Sequence, residues 1–228
     1  MRISYILGMA AAILFAPVCN AFQTINVQTI NVSGDVLKGS GVLLEETRKV
    51  PEFSGIDLSG VYEVFIRCGQ KQEVIVFGDD NIVPHVKTEV NGNVLKEFLD
   101  QSVSTRNKIK LILTANSVSS LKVSGTANVD ISSVRNKSFN LEIFGTGDTK
   151  IEGMSNDLEI TMSGTANVDA KNLMAKTAIV DVSGAGNVAL SVSDELRASI
   201  SGVGNVYYYG NPGKVVETVS GIGGIHKR

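Results

Sequence analysis

The chain has 228 residues, 19% of them charged and 43% apolar, with a net charge of −2 and only two cysteines. That length suffices for one or two domains with a sizeable core. A balance so close to neutral, with no basic patch, argues against nucleic acid as a partner.

Residues 1–21 read as an export signal: a single early cation at Arg2, an apolar run from Tyr5 to Val18, and small residues up to Ala21. Cleavage after Ala21 fits better than a lipid anchor on Cys19, because a lipoprotein signal wants a small residue where Val18 stands. No other stretch approaches spanning length, so no membrane span is expected in the mature chain. Loss of Cys19 would leave Cys68 alone, without a disulfide partner and with no histidine nearby. It reads as a small packing residue.

Residues 22–47 form an extension or the first strands. They open on a tandem echo, Gln23-Thr24-Ile25-Asn26-Val27 and Gln28-Thr29-Ile30-Asn31-Val32, whose alternation favours an edge strand. From Arg48 to about residue 115 the chain is nearly all β, in looser coils than those that follow. Glu73 to Asp80 predicts a strand ending in a turn, and Asn91-Gly92 a tight turn. Asn81 to Lys87 is the one place for a helical turn, which Pro84 keeps short.

Regular repeats occupy residues 116–228. Val123-Ser124-Gly125-Thr126-Ala127-Asn128-Val129-Asp130 returns five more times, with glycines at Gly125, Gly145, Gly164, Gly184, Gly202 and Gly221, a period of 18 to 20 residues. Such a period predicts an all-β solenoid of stacked coils of about 19 residues. Aliphatics stand two and four residues before each glycine, with polar residues between them. One wall therefore faces inward. Val182 belongs to that wall and Asp181 to the outside, while Glu217 breaks the rule in the last copy. The glycines read as corners where the backbone approaches closely. Asn128, Asp148, Asn167, Asn187 and Asn205 follow three residues after their glycines and should stack at the coil spacing into a hydrogen-bonded ladder.

These repeats, with the Arg48 to Phe53 opening, the Gly55-Ile56 start and the Gly78-Asp79-Asp80-Asn81 turn, resemble the "putative auto-transporter adhesin, head GIN domain" family of exported bacterial proteins. The resemblance covers roughly residues 48–228. It implies a right-handed, single-stranded β-helix-like solenoid and a surface or envelope location; it carries no catalytic residues. Gly223-Gly224-Ile225 departs from the pattern by lacking the asparagine.

Chemistry on such a fold belongs to outward side chains stacked across coils. Asp130, Lys150 and Asp169, each five residues after a glycine, should form a column of acid, base and acid. It is either the carboxylate set of a polysaccharide lyase or hydrolase or a solvated cross-coil ion pair. Tyr207 and Tyr209 should face outward, to stack on sugars or a partner or to cap the coil end. His85 and His226 stand too far apart in sequence to make a metal pair, and the Gly-x-Gly steps open no helix after a strand. Neither a metal nor a dinucleotide cofactor is expected. The leading expectation is an exported, adhesin-like binding or structural module that meets a glycan or an envelope or host surface protein. The alternatives are a carbohydrate-active enzyme and a scaffold that self-associates through its coil ends.

Overall fold

A computed structural model of the chain describes residues 36–228. The export segment, Cys19 and the Gln23–Val32 echo lie outside the described residues. In chain order the strands are β1 (Leu37–Lys38), β2 (Leu43–Arg48), β3 (Gly55–Ser59), β4 (Val61–Cys68), β5 (Glu73–Asp79), β6 (Val86–Asn91), β7 (Val94–Leu99), β8 (Val103–Ser104), β9 (Lys110–Ala115) and β10 (Ser120–Val123). Then come β11 (Thr126–Ile143), β12 (Thr146–Met162), β13 (Thr165–Val182), β14 (Ala185–Ile200), β15 (Val203–Tyr209), β16 (Lys214–Val219) and β17 (Ile222–Lys227). One short 3-10 helix, Val83–His85, carries Pro84 in its first turn.

The long strands β11 to β14 each run through most of a coil, and each lies parallel to and in register with the next. This is the expected solenoid, with five turns between Gly125 and Gly221. Each coil has three sides. The first follows the corner glycine, as in residues 126–131. A short middle side follows a break in register, between Ile131 and Val134 in β11 and between Lys150 and Glu152 in β12. The third side, residues 138–143 in β11, returns to the next glycine. At the first break Ser133 takes a φ of 61°, the left-handed region that L residues seldom occupy.

The core is the column of inward side chains. Leu121, Leu141, Ile160, Val180 and Ala198 stack along one side, and Ile131, Ile151, Ala170 and Leu190 along another, all buried. Each fully buried aliphatic side chain contributes about 1.5–3 kcal/mol, whereas one coil alone cannot offset its ordering entropy. Stability therefore comes from stacking. Asp181 is exposed beside the buried Val182. In the last coil Val219 and Glu217 are both exposed.

The corner glycines are required by close approach. A Cβ on Gly145, Gly164, Gly184, Gly202 or Gly221 would overlap a backbone carbonyl of the corner below. The same holds for Gly125 above Gly60, so Ile56-Asp57-Leu58-Ser59-Gly60 is a further rung of the same pattern. Here β3 pairs β10, and β4 pairs the first part of β11.

Residues 36–115 otherwise differ from the looser coils expected of them. Strand β7 continues the parallel stack below β3, but β6 turns back antiparallel on β7 through a two-residue hairpin, with Gly92 at a φ of 64°. Strand β9 likewise lies parallel to β4, and β5 and β2 then add antiparallel. Only β6 and β7 form a local hairpin; β2, β5 and β9 come together from distant parts of the chain, so the N-terminal end of the stack closes with antiparallel strands instead of another coil. Two buried carboxyls lie in this cap. Asp79 is held well below the usual carboxylate range by the Thr105 hydroxyl, the Asn107 amide at 2.6 Å and the Gly41 N–H at 3.1 Å. Glu97 is fully buried with the Thr88 hydroxyl as its hydrogen-bond donor, and burial pushes it up to about 8. Cys68 is a buried free thiol packed in the core, its pKa raised by burial.

Candidate functional site: the two outer grooves

Two rows of side chains run across the rungs of the first side. The inner row is Asn128, Asp148, Asn167, Asn187 and Asn205, continued downward by Glu63, which lies opposite Asn128. Asn128 Oδ1 accepts from the Asp148 backbone N–H at 3.1 Å, and Asn167 Nδ2 donates to Asp148 Oδ1 at 2.9 Å. Asn167 Oδ1 accepts from both the backbone and the amide of Asn187, and Asn187 Oδ1 from both groups of Asn205, all at 3.1–3.3 Å. In the last coil Gly224 stands where the asparagine is missing, and its N–H donates to Asn205 Oδ1 at 3.1 Å. An amide has two N–H donors. At Asn167, Asn187 and Asn205 one is used inside the row and the other is left over; Asn128 only accepts.

The outer row reads Ile112, Phe65, Asp130, Lys150, Asp169, Ala189, Tyr207 and His226, each opposite the next. Asp130, Lys150 and Asp169 are thus one column, but no cross-coil ion pair forms within it. Lys150 Nζ pairs along its own strand with Glu152 Oε1 at 2.7 Å, and Asp169 Oδ2 with Lys171 Nζ at 3.2 Å. Residues two apart in a strand point to the same side, and a long lysine stem spans that gap. The Glu152 carboxylate holds Lys150 above the usual lysine range, helped by Asp130 and Asp169. In turn the Lys150 ammonium and the Asn172 amide hold Glu152 low. Glu63 is held low by Lys108 at 3.1 Å and Lys110. A general acid needs a carboxyl kept protonated; both shifted carboxyls on this side are kept ionised. The rows bound an open groove of about 560 Å³. Among the described residues no three His, Cys, Asp or Glu side chains gather closely enough to hold a metal.

The two candidate tyrosines do not form one patch. Tyr207 stands next to last in the outer row, with the His226 ring stacked on it at 5.5 Å and the Arg228 guanidinium 4.9 Å from its centroid. Tyr208 is buried between them. Tyr209, past the corner, opens onto the middle side. There Arg135, Met154, Met174, Ser191 and Tyr209 stack rung on rung beside a second groove of about 740 Å³. Met154 and Met174 are 39% and 62% exposed. Sequence reasoning missed this row because these residues stand ten, nine, ten, seven and seven positions after their glycines. The variable length of the middle side destroys the alignment that exposes the other rows.

Comparison with known proteins bears on the frame that carries these grooves. No curated protein matches the sequence. Among solved structures, a putative adhesin from Bacteroides fragilis NCTC 9343 superposes with a TM-score of 0.71 at 24% identity, over 84% of this chain and 100% of that one. A putative adhesin from Parabacteroides merdae ATCC 43184 gives 0.56 at 19% identity, over 84% and 98%. One from Parabacteroides distasonis ATCC 8503 gives 0.53 at 18%, over 85% and 100%. Among the described residues no helix is long and apolar enough to cross a membrane. The family model described as "Putative auto-transporter adhesin, head GIN domain" matches residues 52–212, across both grooves, and the chain belongs to that family.

Proposed function

We propose that the chain is an exported binding module of the cell envelope, adhesin-like and non-catalytic, which holds a neutral, hydroxyl-rich glycan along its first side. The observation that carries this reading is the amide row. At Asn167, Asn187 and Asn205 folding uses one amide N–H and leaves the second for a ligand, on three successive rungs about 4.8 Å apart. Beside these rungs Lys150 and Asp169 are paired along their own strands with Glu152 and Lys171, which lowers the cost of desolvating them under a neutral chain, while Asp130 stands without an ion pair at the Asn128 end. Family membership and the adhesin neighbours support the adhesin-like part of the reading.

The test is retention of residues 22–228 on immobilised neutral glycans, with released fragments assayed in the same wells. Retention without release, weakened in Lys150→Ala with Asp169→Ala, is the expected result. Release that Asp169→Asn abolishes would replace the module with a carbohydrate-active enzyme. Absence of both signals would shift the weight to a protein partner.

A further inference from the structure

The middle-side groove differs from the first in charge and in the character of its walls. The first groove is lined by Glu63, Asp130, Asp148 and Asp169 against two lysines. The second has Arg135 and Lys176 on its lining and no carboxylate at all. Asp157 and Asp194, next in the chain to lining residues, accept from Thr177 at 2.7 Å and Ser193 at 2.6 Å and do not line it. Lys227 Nζ donates to Asn211 Oδ1 at 2.7 Å and brings a third cation to the far end. This concentration of cations sits on a chain whose net charge is −2.

Chain alternation sets the two walls. On either side of the buried Ser155 and Ala175 stand Met154 with Asn156, and Met174 with Lys176, so one wall runs from Arg135 through two thioethers and Ser191, and the other carries amide and ammonium. Tyr209, 36% exposed, closes the thioether-bearing wall. Four rung steps of about 4.8 Å give a trough about 19 Å long. An acyl chain would strip water from the amide wall without replacing its hydrogen bonds, which is costly. A pyranose ring presents an apolar C–H face and a hydroxyl rim, and thus suits both walls at once; thioethers and a tyrosine ring are adaptable partners for the C–H face.

We propose that the middle-side groove binds an acidic glycan, a linear polysaccharide bearing carboxylates. Arg135 and Lys176 take the carboxylates, Met154, Met174 and Tyr209 take the ring faces, and Asn156 meets the hydroxyls. This adds a second ligand class to the binding-module reading, and it stands whether or not the first groove holds a neutral glycan.

The probe is polygalacturonate, measured by calorimetry against residues 22–228, with its methyl-esterified form as the uncharged control and poly-glutamate as an anion without sugar. Polygalacturonate should bind and lose affinity as salt rises. Esterification, or Arg135→Ser with Lys176→Ser, should weaken binding at least about tenfold. Met174→Ser with Tyr209→Ala should weaken it about tenfold as well, with the melting temperature unchanged. Lys150→Ala with Asp169→Ala, in the other groove, should leave it intact. Equal binding of poly-glutamate, or indifference to the Met174 and Tyr209 changes, would reduce the groove to an anion-attracting surface and overturn the proposal. So would loss of binding through the Lys150 and Asp169 changes, or capture of oleate in place of polygalacturonate.

Discussion

Gly125 rests directly on Gly60, so closely that a Cβ on the upper residue would overlap the carbonyl oxygen of the lower. The contact recurs at every corner above it, and the repeated glycine is a requirement of spacing. Gly184→Ala must push a backbone carbonyl aside and should cost about 2–3 kcal/mol. Gly213→Ala, whose added Cβ would find its nearest neighbour 3.8 Å away at the Asp194 carbonyl, should stay within about 0.5 kcal/mol. Urea unfolding of the two variants side by side decides the point.

The inward and outward registers can be tested by exchanging character at adjacent positions. Val182→Asp places an unpaired carboxylate in the core and should cost about 3–5 kcal/mol. Asp181→Val changes an exposed site and should shift stability by about 0.5 kcal/mol or less. Equal melting temperatures for the two would refute the register.

The amide row makes unequal demands on its members. Asn187 accepts two hydrogen bonds from Asn205 and donates one to Asn167, whereas Asn128 accepts only the Asp148 N–H. Asn187→Ala should therefore cost about 1–2 kcal/mol and Asn128→Ala about half as much. Hydrogen exchange at the Asn205 amide should speed up in the first variant alone.

Stability should fall with rising pH in a window where most proteins are level. Glu97 has its pKa pushed up to about 8 by burial, against an ordinary 4.5 in the unfolded chain. Between those values the folded state keeps a proton that the unfolded state has lost, so the unfolding free energy declines from about pH 5 to about pH 8 and then flattens. Asp79, Asp100, Glu63, Glu152 and Glu195 are shifted the other way, and their contribution is lost only in more acid solution, as pH falls through their lowered values. Melting curves from pH 5 to 9 should show the decline, and Glu97→Gln should flatten it.

The regular coils were legible because one slot, the corner glycine, fixes every other residue at a constant distance from it. The column of Asp130, Lys150 and Asp169 followed from that alignment, but its ion pairs did not. Alignment tells which residues are stacked and says nothing about the competition between a neighbour across the coil and one two residues along the strand. The Gly60 rung, Leu58-Ser59-Gly60-Val61, shares the apolar-Ser-Gly step of five of the six copies yet stands 65 residues before Gly125. Hairpins and connections between β4 and β10 fill that interval and hide the period. Tyr207 and Tyr209 look equivalent by alternation, and the corner between them turns only Tyr209 onto the second groove while Tyr207 stays in the outer row.

Parallel, in-register stacking has a further result: the molecule is a ruler whose divisions can be removed. Excision of residues 164–183 would bring Ser163 to Gly184 and set that glycine on Gly145, an exchange of one corner for its equal. The shortened chain should fold, and each trough should lose one division of about 4.8 Å. The length of either trough is set by the number of coils, a quantity that duplication or loss of some twenty residues changes without redrawing any contact within a coil.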